Sequence, residues 1–133
     1  MEKTIAALRQ LTALDSARLR KMAGSGSQPE LDELLDEAEV IDSREVAPDI
    51  VTMYAQVEVE DIGSRSRRTL VVCYPADAEP ARGFISVLSP VGLALLGLPV
   101  GAVARWQAPG GIESAARVAA ILFQPEASGD YVT

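Results

Sequence analysis

Ile85-Ser86-Val87-Leu88-Ser89-Pro90-Val91-Gly92-Leu93-Ala94-Leu95-Leu96-Gly97 carries a strand, a corner and a short helix in thirteen consecutive residues. Phe84 to Leu88 is apolar enough for a buried strand, and Ser89-Pro90 supplies an N-cap followed by a proline suited to a first helical turn. The helix that follows, Val91 to Leu96, ends at Gly97, a residue that accepts the left-handed conformation of a C-cap. C-terminal to it, Val103 to Gln107 and Ser114 to Phe123 read as strands joined by the turn Pro109-Gly110-Gly111. On the N-terminal side, Val51 to Glu60 alternates through Val51, Met53, Ala55, Val57 and Val59 as a half-buried strand does. Gly63 to Ser66 is a turn, Arg67 to Tyr74 is the return strand, and Pro75 ends it before a polar loop from Ala76 to Gly83. The expectation is a small antiparallel sheet carrying one short helix, an α+β arrangement.

The front of the chain obeys another period. Thr12 precedes Asp15 at capping distance and leads Leu14, Ala17, Leu19 and Met22, which predicts a first helix. Residues 5–11 could extend that helix or form an extended arm, and periodicity does not decide between them. Ala23 to Gln28 supplies small, flexible residues for a tip, comprising Gly24, Ser25, Gly26 and Ser27. Ser27 and Glu30 then read as a capping box with Pro29 in the first turn, and Leu31, Leu34, Leu35 and Ala38 form one apolar face. Glu30, Asp32, Glu33, Asp36, Glu37 and Glu39 cover the other face. The prediction is a short antiparallel helical hairpin over residues 1–47, coiled-coil-like, with arms of roughly 15–18 Å at 1.5 Å per residue. The sheet-bearing domain occupies residues 48–133.

Composition narrows the functions available. The 133 residues contain no histidine, which removes Ser-His-Asp and Cys-His catalysis and the usual zinc sites. Cys73 is the single cysteine, so it forms neither an internal disulfide nor a multi-cysteine metal site, and it reads as strand packing. Residues 1–61 hold 14 acids and 6 bases, whereas residues 62–133 hold 5 acids and 6 bases. With net charge −7 and no aromatic residues interleaved among Arg and Lys, a grip on nucleic acid is disfavoured and a protein partner is favoured. No apolar run spans a bilayer and no secretory pattern opens the chain, so a cytoplasmic protein without membrane contact is expected. No cofactor, metal or catalytic residue is expected either.

The order strand, Ser89-Pro90, Ala94-Leu95-Leu96-Gly97, Val100-Gly101 and Ala108-Pro109-Gly110-Gly111 resembles the C-terminal domain of the GreA/GreB transcription factors. Pro48-Asp49-Ile50-Val51-Thr52-Met53 and Gln124-Pro125-Glu126-Ala127-Ser128-Gly129-Asp130-Tyr131 are similar to the branch of that family called regulators of nucleoside diphosphate kinase (Rnk). The resemblance implies an FKBP-like sheet domain and a partner, RNA polymerase, docked near the secondary channel in competition with Gre factors. Any DNA contact would be indirect, and a monomer is expected. The effect on nucleoside diphosphate kinase is implied to be regulatory, in keeping with the absence of a P-loop or a phosphate-carrying histidine.

Within that resemblance, Leu88, Ser89, Pro90, Val91, Leu95, Leu96 and Gly97 are the expected polymerase-binding segment. Position 88, often Asp or Asn in Gre factors, is Leu here, which replaces a polar contact with an apolar one. Gre factors carry an acidic pair at the tip of a long coiled coil, where it helps hold a metal ion and activate water. The tip here has no carboxylate. Its nearest acids, Glu30 and Glu33, lie in the first turn of the second helix, where the helix dipole also favours them. Binding without stimulation of transcript cleavage is therefore expected. Two other functions compete: an FKBP-like prolyl isomerase, for which Phe84, Trp106 and Phe123 would have to line a pocket, and an adaptor for another cytoplasmic protein that uses the apolar residues Leu93, Leu96, Leu98 and Val100.

Overall fold

In the computed structural model, residues 9–24 and 28–130 are described. The elements run β1 (Gln10–Thr12), α1 (Ala13–Ala23), α2 (Pro29–Glu37), β2 (Glu39–Ile41), β3 (Gln56–Asp61), β4 (Arg67–Cys73), β5 (Phe84–Ser86), α3 (Pro90–Leu95), β6 (Val103–Gln107) and β7 (Glu113–Phe123). The α+β class is as the sequence implied.

Thr12 caps α1, its hydroxyl accepting from the Asp15 amide at 3.0 Å. The expected apolar face of α1 is only partly right, because Ala17 is exposed while Asp15, Ser16, Leu19 and Ala23 are buried. An acid on the core side is the reason: the Asp15 Oδ2 accepts from the Met53 amide at 3.1 Å and so belongs to the packed interior. Helix α2 buries Leu31, Leu34 and Leu35 as its spacing predicted. Its cap position falls on Gln28, which makes no side-chain cap bond; Ser27 of the expected capping box lies outside the described residues, with Ser25 and Gly26. Arg20 on α1 reaches Asp36 and the Leu35 carbonyl on α2, which ties the two helices side to side.

Residues 10–12, whose conformation periodicity left open, form a strand. β1 pairs in parallel with β2, so the chain leaves this small sheet, runs through α1 and α2, and returns to it. The larger sheet has the order β5-β4-β3-β7-β6. Four of its strands pair antiparallel as expected, but β5 lies parallel to β4. Residues 74–83 explain this departure. They fold into two 3-10 turns closed by Gly83 in the left-handed region, a connection long enough to carry the chain back to the same edge in the same direction.

The first predicted strand is also shorter than its alternation suggested, starting at Gln56 rather than Val51. Val51, Thr52, Met53 and Ala55 are all buried, so the segment is enclosed from several sides. Its backbone donors form no regular ladder: Val51 N–H donates to Leu98, Met53 N–H to Asp15, Tyr54 N–H to Val72 of β4, and Ala55 N–H back to Thr52. Tyr54 between them takes a positive φ of 68°. β5 likewise ends at Ser86 rather than Leu88, because Ser89 N–H turns back to the Ser86 carbonyl.

One buried apolar cluster joins all these layers. Leu11, Leu19, Leu31 and Leu35 from the front meet Val51, Met53, Leu95, Leu96 and Leu98, which in turn pack over Val57, Val72 and Val118 of the sheet. At roughly 25 cal/mol per Å² of apolar area, each such leucine contributes about 1.5–3 kcal/mol when fully buried. The helix pair is thus held by the same core as the sheet. Cys73 sits within β4 at 0% exposure, a packed strand residue as expected.

Candidate functional site

The corner from Ser86 to Gly97 is built by local hydrogen bonds. Ser89 Oγ–H donates to the Ser86 carbonyl at 2.7 Å and its oxygen accepts from the Gly92 amide at 3.1 Å. The Leu88 amide donates to Ser86 Oγ at 3.0 Å. Pro90 follows at the first helical position, where its missing N–H costs nothing. Gly92 permits the close approach that the corner needs: a Cβ there would stand 2.1 Å from the Ser86 carbonyl oxygen.

The seven residues singled out in this segment divide by burial. Pro90 is exposed, while Leu88, Ser89 and Val91 are half-buried and reach the surface. Leu95, Leu96 and Gly97 are buried and face inward, so they support the corner rather than present it. Of the apolar residues weighed as an adaptor patch, Leu96 and Leu98 are core, Leu93 is half-buried, and only Val100 is exposed.

Glu30 and Glu33 lie near the start of α2 and are both exposed. With Glu37, Leu34 and Arg9 they form one side of a groove of about 390 Å³ whose other side is Pro90, Leu93, Ala94 and Arg105. They are therefore neighbours of the Ser89-Pro90 corner across the gap between α2 and α3. The tip itself, as far as it is described, consists of exposed Gly24 and half-buried Gln28.

Two residues organise the junction: Arg9, which the sequence reading passed over, and Asp15, which it took only as the partner of the Thr12 cap. Arg9 sends its guanidinium to three carbonyls at the end of α3: Leu93 at 2.9 Å, Leu96 at 2.6 Å and Ala94 at 3.2 Å. Asp15 is 1% exposed, and burial, reinforced by the nearby Glu126 carboxylate, raises its pKa to about 7 despite the bond from Met53. Glu126 is itself buried and accepts from the Thr52 hydroxyl at 2.7 Å. Arg9 stands in no local motif and Asp15 stands only in the Thr12 cap, so the role of each at the junction depends on long-range contacts.

The sheet face beneath α3 holds a second hollow, about 200 Å³, between Val59, Leu70, Val91, Leu95 and Trp106, with Asp61 and Arg68 at its rim. The three residues that a prolyl isomerase reading requires do not converge on it. Phe84 on β5 and Trp106 on β6 stand at opposite edges of the sheet, and Phe123 is exposed at the end of β7. Among the described residues, no group of three or more acids or cysteines is placed to hold a metal ion, and no helix is long and apolar enough to cross a membrane.

Residues 46–123 match the model of the C-terminal domain of the transcription elongation factors GreA and GreB. The "Regulator of nucleoside diphosphate kinase" of Escherichia coli K12 is 38% identical over 98 residues, covering 74% of this chain and 72% of that protein. The transcription elongation factor GreA of Rhodospirillum rubrum is 38% identical over 96 residues, and the match covers 61% of its length. A solved GreA/GreB factor from Nitrosomonas europaea superposes with a TM-score of 0.73 at 34% identity, covering 86% of this chain and 98% of that one. These relatives are named as regulators or elongation factors, and none of these names denotes an enzyme.

Proposed function

Since this chain belongs to the GreA/GreB transcription elongation factor family, we propose that it is a non-catalytic regulator that binds RNA polymerase near the secondary channel. It competes there with Gre factors and does not stimulate transcript cleavage. The observation that carries the docking half is the Leu88–Val91 corner: a rigidly capped, partly exposed turn with an apolar lip, in the segment where the sequence matches the family. In this reading Ser89 holds the corner, Pro90 and Val91 make contact, and Leu88 supplies an apolar contact.

Arm length and acid placement support the absence of cleavage. Helices of 11 and 9 residues are only about 16 and 14 Å long at 1.5 Å per residue. Residues 23–28 contain no carboxylate, and Glu30 and Glu33 line the groove beside α3. The short helical hairpin of residues 1–47 thus fills space at the channel mouth, and the FKBP-like domain of residues 48–133 does the holding. Any influence on nucleoside diphosphate kinase is regulatory in this reading.

Two measurements test the proposal. The protein should co-elute with core RNA polymerase and be displaced by a Gre factor, and failure of both removes the docking reading. Added to a backtracked elongation complex, it should leave the transcript intact; strong stimulated cleavage defeats the non-catalytic half.

A further inference from the structure

Helix α3 has six residues, too few for its own ladder to satisfy its carbonyls, since the last four of any α-helix lack intrahelical donors. From Gly92 to Gly97 every carbonyl nevertheless has a partner. Gly92 accepts from Leu96 N–H and Leu95 from Leu98 N–H, both within the segment itself. Leu93, Ala94 and Leu96 accept from the Arg9 guanidinium, and Gly97 accepts from Gln10 N–H at 2.9 Å. Four of the six are therefore served by two consecutive residues more than eighty positions away.

Those two residues are anchored to the front of the molecule. Arg9 accepts from Glu39 N–H at 3.0 Å through its own carbonyl, and Gln10 begins the β1–β2 pair that closes the base of the two helices. Gly97 lets the turn after α3 come close to β1: its φ is +84°, and a Cβ there would meet the Gln10 carbonyl oxygen at 3.0 Å. A planar guanidinium suits this place because its fork of donors can bridge several carbonyls at the negative end of a helix dipole. Burial lowers the pKa of the group from its ordinary value, and the Glu37 carboxylate opposes that change.

We infer that Arg9 is a positioning residue for the polymerase-docking corner: by gripping the C-terminal end of α3 it fixes the Ser89-Pro90 end against the helix pair, making both one rigid docking body. This inference rests on the docking reading above and adds to it a residue outside the matched segment 46–123. Arg9 touches no partner itself; it acts through α3.

Arg9→Met keeps the aliphatic stem and removes all donors, Arg9→Lys restores the charge with a poorer fit, and Thr12→Ala weakens the α1 cap without touching α3. Amide hydrogen exchange of the free proteins is measured beside affinity for core polymerase and urea midpoint. The Met variant should exchange faster across residues 92–98 and at Gln10, and its affinity should fall by about tenfold or more. The Lys variant should lie between Met and wild type. Thr12→Ala should lower the urea midpoint yet keep its affinity, which separates positioning from general stability. Unchanged exchange in Arg9→Met overturns the grip; faster exchange with wild-type affinity overturns the positioning role, as does an equal affinity loss in Thr12→Ala. Failure of the wild-type protein to bind polymerase overturns the docking reading itself, and the exchange comparison then still reports whether Arg9 holds α3.

Discussion

Replacing Asp15 by Asn should flatten the pH dependence of folding stability. Asp15 lies on the buried side of α1, with the Met53 amide donating to it, Thr12 at its own amide, Arg18 one turn along, Glu126 facing it from the C-terminal turn and Tyr74 from just past the end of β4. Its pKa rises from an ordinary 3.8 to about 7, chiefly because burial penalises the charged form. The folded state therefore binds a proton that the unfolded state releases throughout the interval between those values. The stabilisation is complete below the unfolded pKa and is lost as pH climbs to about 7, at about 1.4 kcal/mol per pH unit. From pH 5 to pH 8 the wild type should lose on the order of 2–3 kcal/mol relative to Asp15→Asn, which mimics the neutral acid and keeps the acceptor for Met53. Because the chain has no histidine, the side chain most often responsible for changes in this range is absent. Urea denaturation followed by the fluorescence of Trp106, at pH 5, 6, 7 and 8, measures the difference. Parallel wild-type and Asn profiles, or a wild-type gain on raising the pH, would refute the argument.

Three further outcomes are expected. Gly92→Ala should cost about 3 kcal/mol or more in urea stability, because its Cβ would meet backbone at Ser86 that cannot move away; a loss below about 1 kcal/mol would mean the corner is looser than described. Ser89→Ala should cost about 1 kcal/mol from the lost cap, measured by the same titration, with helix α3 exchanging faster. Cys73 is buried, which pushes its thiol pKa up, so a thiol-specific reagent should react slowly with the native protein and rapidly in denaturant; fast native labelling would contradict its burial.

Local signals in the sequence described local structure well. The Thr12 and Ser89 caps, the proline at the start of α3, the apolar face of α2 and the packed Cys73 all follow from interactions within a few residues or from simple burial preference. The family resemblance was legible for the same reason, since it rests on a contiguous run of turns and short elements. The absence of an acidic pair from residues 23–28 could also be read directly.

Tertiary structure decided what depended on distant partners. Val51 to Ala55 alternates like a strand, yet Asp15, Leu98 and Glu126 take its hydrogen bonds, so alternation recorded burial and not extension. The parallel pairing of β5 depended on how residues 74–83 coil, which neither strand encodes. Leu95 and Leu96 share a motif with Pro90 but point the other way, and Glu30 and Glu33 sit beside α3 because of how α2 packs. Arg9 stands in no motif of the sequence. Only folding brings it to carbonyls 84 to 87 positions away, where a six-residue helix lacks the donors to satisfy them itself.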